Sequence, residues 1–133
     1  MKIFQLEVGM IGTNCYIVEN EKTRHGVVID PGDEGERIVS AIHKEGITID
    51  AIFITHGHSD HIMGLNEVRA DTGAKVYISK EDAPCLGQSK ANLSIYMMGR
   101  NAEFAPADVI YGEGDVIEAA GMQFKVLATP GHT

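Results

Sequence analysis

Apolar and polar positions alternate from Lys2 to Val8, with Ile3, Leu6 and Val8 among the apolar ones, and this period predicts a strand half-buried against a core. After a turn over Gly9 to Gly12, Asn14 to Glu19 carries Cys15, Tyr16, Ile17 and Val18 and reads as a second strand. The polar stretch Glu21 to Arg24 suits a hairpin connection. Val27, Val28 and Ile29 form a short continuous apolar run between Gly26 and Asp30, the mark of a strand buried on both faces. Asp30, Pro31, Gly32 and Asp33 stop that run with strong turn chemistry.

The period then changes. Ile38, Val39 and Ile42 share one face of a helix over Glu36 to Lys44, with Gly46 as the residue that ends it. Ile49 to Thr55 is another buried strand, and Ile62 to Thr72 places Leu65, Val68 and Thr72 at helical spacing before Gly73. Lys75 to Ser79 reads as a short strand, Glu81 to Ala91 as weakly helical with Pro84 near its start, and Asn92 to Ala107 as a loop or broken helix. Val116 to Ala119 and Met122 to Ala128 pair as a hairpin across Ala120 and Gly121. No linker, low-complexity segment or short repeat interrupts the chain. Interleaved strands and helices predict one α/β (α+β) domain with a sheet covered by helices.

Composition narrows the classes. The 133 residues are 44% hydrophobic and 23% charged, a globular balance that excludes global disorder. No apolar run approaches the roughly 18 residues of a membrane span, and Met1 to Glu7 lacks the apolar core of a signal peptide. Neither a membrane partner nor secretion is therefore expected. Lys and Arg number 11 against 19 Asp and Glu, for a net charge of −8, which disfavours nucleic acid as a partner. Cys15 and Cys85 form no CxxC pair, so reduced thiols in the cytoplasm are expected.

The chemistry is concentrated at His56, Gly57, His58, Ser59, Asp60 and His61, where a buried strand ends and a helix begins. In extended backbone, positions two apart point the same way, so His56 and His58 can present imidazoles to one ion. The turn into the helix redirects Asp60 and His61 toward a neighbouring point, so one segment can serve two adjacent metals. Imidazole and carboxylate donors suit zinc, with iron or manganese as substitutes. A second strand-end turn, Thr129, Pro130 and Gly131, leads into His132, and three histidines would leave a coordination position open for water. A helix cap at Ser59 or Asp60 accounts for one residue but not for three histidines. His25 and His43 read as surface or satisfied core residues, and Cys15 as a core residue. Met97 and Met98 with Tyr96 suit packing better than a substrate pocket. Gly112 to Asp115 is a turn before a strand and no phosphate loop.

Taken together, His56, His58, Asp60 and His61 spell the H-x-H-x-D-H motif, and the sequence resembles the metallo-β-lactamase superfamily. Gly12 to Val18 and Val28 to Gly32 are similar to the glyoxalase II-like (hydroxyacylglutathione hydrolase-like) branch. The resemblance implies an αβ/βα sandwich with a dinuclear zinc site at one edge. It implies that His56, His58 and His132 hold the first metal and that Asp60 and His61 contribute to the second. In that family a bridging Asp and a last His follow, so residues 1–133 correspond to the N-terminal portion of a single domain, the first half of the sandwich. The first sheet would then expose an apolar face, so a second half-domain or self-association is expected to cover it.

The implied reaction is hydrolysis of a small-molecule thioester of the glyoxalase II type, such as a glutathione thioester, by a zinc-bound hydroxide. Asp60 is the candidate for orienting the nucleophile and handling its proton. Asp30 is a candidate for orienting a ligand imidazole through its second nitrogen, or alternatively a turn cap before Pro31. The oxygen-reducing branch uses a carboxylate within the first motif where this chain reads His56, His58, Asp60, which favours the hydrolytic zinc type. Lactams, lactones and other esters are alternative substrates. The other class of function is a non-catalytic module that holds one zinc through His56, His58 and His132 and acts by association.

Overall fold

The fold is seen in a computed structural model that describes residues 2–8, 13–55, 64–80, 107–112 and 114–125. Strands β1 (Lys2–Val8), β2 (Thr13–Asn20) and β3 (His25–Ile29) form an antiparallel meander. From β3 the sheet continues in parallel through β4 (Thr48–Ile54), β5 (Lys75–Ser79) and β6 (Val109–Tyr111). The six strands lie in chain order, β1-β2-β3-β4-β5-β6. Helix α1 (Gly35–Glu45) connects β3 to β4, and α2 (Leu65–Thr72) lies between β4 and β5.

Both helices cover the same face of the sheet. Ile38 and Ile42, one turn apart on α1, and Leu65 and Val68 on α2 are buried in one cluster with Cys15, Ile17, Val28, Ile52, Ile54, Val76 and Ile78. Full burial of each such side chain contributes roughly 1.5–3 kcal/mol, so this layer dominates the stability of the fold. Parallel connections of one hand place successive helices on one side, which is why the two share a face. Helix α1 ends at Gly46, whose φ of 68° turns the chain as expected, and Arg24 donates to the carbonyl of Glu45 there. The same Arg24 approaches the buried carboxylate of Glu19 at 2.9 Å.

The helices also meet each other at their N-terminal ends. A Cβ added to Gly35 would lie 2.6 Å from Cβ of Glu67, so glycine permits the close approach of α1 to α2. Gly35→Ala is therefore expected to destabilise the fold by about 1–3 kcal/mol, as overpacking does, measured by urea denaturation. An unchanged midpoint would show that the two helices can separate at no cost.

The opposite face carries Val18, Val27, Ala51 and Phe53, also buried. Strands β7 (Val116–Ala119) and β8 (Met122–Lys125) pair as a hairpin and lie over it, bringing Ile117, Ala119, Met122 and Phe124. Phe53 sits edge-on to both Tyr77 and Phe124, with ring centroids 5.2 and 4.9 Å away. The connecting Ala120 and Gly121 both have positive φ, 55° and 73°, the conformation that a two-residue hairpin turn requires. Asn20 donates to the carbonyl of Ala120 at 3.0 Å and ties the hairpin to the end of β2. The centre of the face that the sequence leaves without a partner is thus covered by two strands of a second layer, while Ile3, on the edge strand β1, is exposed.

Where the residues are described, the predicted elements agree closely with these bounds; the turn over Gly9 to Gly12, the helix start at Ile62 and Met63 and the strand end at Val126 to Ala128 lie outside the described residues. Strand β6 is the exception: three residues carry no readable period, and neighbouring Tyr77, Ile78 and Ser79 are what define it. The weak helix read over Glu81 to Ala91 lies outside the described residues, with Cys85, and so does the loop that follows from Asn92 through Pro106, with Tyr96, Met97 and Met98. No helix among the described residues is long and apolar enough to cross a membrane.

Candidate metal centre

The carboxyl ends of β3, β4 and β5 open on one edge of the sheet, the place where parallel α/β sheets carry their sites. Asp30 follows the last residue of β3. Its N–H donates to the carbonyl of Phe53 at 2.9 Å, so it is still bound to β4, yet its φ of 53° has already turned the chain. Aspartate tolerates that left-handed conformation better than most side chains. Only 6% of Asp30 is exposed. Its Oδ1 accepts the N–H of Thr55 at 2.7 Å, and its Oδ2 accepts the Thr55 hydroxyl. The carboxylate therefore latches the end of β3 to the end of β4, one residue before His56.

The return of this segment is tied to the same turn. Gly64, which precedes α2, donates its N–H to the carbonyl of Pro31 at 2.7 Å. A Cβ at Gly64 would lie 3.0 Å from the carbonyl oxygens of both Pro31 and Asp33, so only glycine seats the helix start without displacing the turn. Thr55 and Gly64, the described residues on either side of 56–63, are thus held by neighbouring positions of one turn, Asp30 and Pro31. His56, His58, Asp60 and His61 all belong to that span. They lie outside the described residues, as does His132.

The remaining histidines sit at the other end of the sheet. His25 begins β3, and its Nδ1 is 2.9 Å from both carboxylate oxygens of Asp50. His43, in the last turn of α1, brings Nε2 to 2.8 Å from Oδ2 of Asp71 in α2. Both are surface residues with a carboxylate neighbour, as their isolation in the sequence suggests. Cys15 is a buried free thiol. Burial, with the Asp30 carboxylate adding to it, pushes its pKa up to about 12, so it stays protonated and serves as core rather than as a ligand or nucleophile. Asp115 is exposed, and its Oδ2 accepts the N–H of Gly112 at 2.8 Å, which closes the turn read there.

Among the described residues, no group of three His, Cys, Asp or Glu side chains is placed to hold a metal. The donor set fits one nonetheless. Four of its donors, His56, His58, Asp60 and His61, fall in the short span between Thr55 and Gly64, His132 lies elsewhere in the chain, and imidazole with carboxylate suits zinc, iron or manganese. Two features of this edge were not legible in the sequence. One is Thr55 as the target of Asp30. The other is Tyr111, whose hydroxyl donates to the carbonyl of Ile54 at 2.7 Å from the far side of β5.

A mixed sheet with helices on one face and a second layer on the other, with a histidine-rich segment following β4 in the chain, defines a metallo-β-lactamase-like fold. The Metallo-beta-lactamase superfamily profile matches residues 8–133, and the chain belongs to that superfamily. It is 34% identical over 134 residues to a probable metallo-hydrolase of Bacillus subtilis, covering 100% of this chain and 62% of that protein. To the hydroxyacylglutathione hydrolase GloC of Haemophilus influenzae it is 27% identical over 134 residues, 100% of this chain and 63% of that one. Among solved structures, the BLEG-1 B3 metallo-beta-lactamase superposes with a TM-score of 0.92 at 31% identity, over 99% of this chain and 63% of that chain. A relative crystallised in a di-iron-bound form gives a TM-score of 0.77 at 30% identity, over 98% of this chain and 62% of its own. The chain therefore spans less than two thirds of the length of these relatives.

Proposed function

We propose that the chain carries the metal-binding segment of a metal-dependent hydrolase that cleaves thioesters of the glyoxalase II type. The observation that carries this reading is the tie of both residues that flank 56–63 to one turn, Thr55 to Asp30 and Gly64 to Pro31. A metal site needs its donors held in a fixed mutual geometry, and anchoring the residues on either side of 56–63 to one buried turn favours it. The similarity to a hydroxyacylglutathione hydrolase supports a glutathione thioester as substrate. A di-iron relative supports iron beside zinc as the native ion.

In this reading His56, His58 and His132 would hold one metal, and Asp60 and His61 would contribute to a second. When bound, the metal supplies Lewis acidity toward a carbonyl oxygen and brings the ionisation of water near neutrality. Asp60 orients the attacking water and is the candidate to hold its proton. Asp30 keeps the end of β4 in place, and a contact from it to a ligand imidazole belongs to the same reading. The buried free thiol of Cys15 is compatible with a reducing, cytoplasmic setting.

Elemental analysis after gel filtration without chelator, followed by an assay of thiol release from S-lactoylglutathione, tests this function. Retained zinc or iron together with thiol release is the expected result. Retained metal with no hydrolysis of thioester, lactam or lactone would replace it with a metal-binding module that acts by association. Absence of metal would remove both.

A further inference from the structure

The peptide unit between Ile54 and Thr55 is held on both sides by side chains, one from the turn after β3 and one from β6. Its N–H donates to Asp30 at the end of β3, at 2.7 Å. Its carbonyl accepts the hydroxyl of Tyr111 at 2.7 Å. Tyr111 belongs to β6, two strands away from β4 in the sheet, so its phenol reaches past β5 to make this bond. The backbone seats Tyr111 there: it pairs with Ser79, and its own carbonyl accepts the N–H of Lys80 at 3.0 Å.

In a trans peptide the N–H and C=O point in opposite directions. Two partners on opposite sides therefore fix the rotation of the whole plane, which either alone would leave free to rock. That plane is the last one described before His56. A small rotation of it, carried down the chain, would displace the segment that begins at His56 relative to the turn at Asp30 and Pro31. Partners that hydrogen-bond a metal ligand directly change metal affinity by about 10–100-fold when removed, and a tie two residues before the first ligand acts at the lower end of that range.

We propose that Tyr111 is a positioning residue for the metal-binding segment, acting through the carbonyl of Ile54. The proposal rests on the metal reading above. Its test is Tyr111→Phe, which keeps the ring and removes one hydroxyl. Zinc affinity is measured by competition with a chromophoric chelator, and amide hydrogen exchange is followed at Thr55 in the metal-free chain. The control is Asn20→Ala, which removes the bond to Ala120 and so loosens the fold at a place remote from the segment.

The expected result is a zinc Kd raised about tenfold in Tyr111→Phe but not in Asn20→Ala, with faster exchange at Thr55 in Tyr111→Phe alone. Unchanged zinc affinity in Tyr111→Phe overturns the proposal. So does an equal loss in Asn20→Ala, because the effect would then be one of general stability. If the unsubstituted chain binds no zinc, the metal reading fails and Thr55 exchange decides the clamp separately: faster in Tyr111→Phe it stands, unchanged it falls.

Discussion

Asp30→Ala is expected to lower the unfolding free energy by about 1–3 kcal/mol, because it removes the buried carboxylate that accepts two part-buried hydrogen bonds from Thr55. Thr55 would lose the partners of both its N–H and its hydroxyl. Alanine would also have to adopt the left-handed φ of 53° found at this position, at a further cost of about 1–2 kcal/mol. Asp30→Asn keeps one carbonyl acceptor and tolerates that conformation, so its loss should be smaller. It presents an amide donor where the second oxygen stood, so some loss remains. Urea denaturation of the two variants beside the unsubstituted chain measures the difference. Equal stability of all three would mean that the latch between β3 and β4 carries no weight. With the latch cut, retained metal should fall as well, since Thr55, the residue before His56, would lose its tie to the end of β3.

His58→Ala should abolish most metal retention, whereas His43→Ala and His25→Ala should leave it unchanged. The contrast follows from position. His58 lies within the bracketed span, while His43 and His25 are at the opposite end of the sheet, each beside an exposed or half-exposed carboxylate. Loss of such a surface pair costs about 0–1 kcal/mol of stability, too little to disturb a distant site. Elemental analysis of the purified variants gives the answer directly. If His43→Ala lost as much metal as His58→Ala, the ligand assignment would be untenable.

Much of this architecture was readable from patterning. The apolar run of β3 and the amphipathic start and buried end of β4 reflect a sheet covered on both faces at its centre. Ile38 and Ile42 announce α1 because a two-sided environment, sheet below and water above, imposes a helical period. What sequence could not give was partnership across distance. Asp30 reads equally well as a turn cap and as a ligand's neighbour, and only the fold shows its carboxylate on Thr55, 25 residues on. Tyr111 stands in a three-residue strand between polar turns, and nothing local marks it as a donor to Ile54, 57 residues earlier. The metal motif was legible for the opposite reason: its chemistry is packed into consecutive residues, so it needs no fold to be seen.

The order of strands in the sheet equals their order along the chain. Each new strand therefore docks onto the one made just before it, and no gap has to be held open for a segment still to come. Such a sheet can grow by accretion as the chain emerges during synthesis, with loop-closure entropy lost in small successive steps. The β7–β8 hairpin arrives last of the described elements and reaches back 100 residues, through Ala120, to Asn20. Closure over the second face is consequently the late, non-local event. Until then Val18, Val27, Ala51 and Phe53 present a bare apolar surface, the stage at which a growing chain of this design most needs protection from its neighbours.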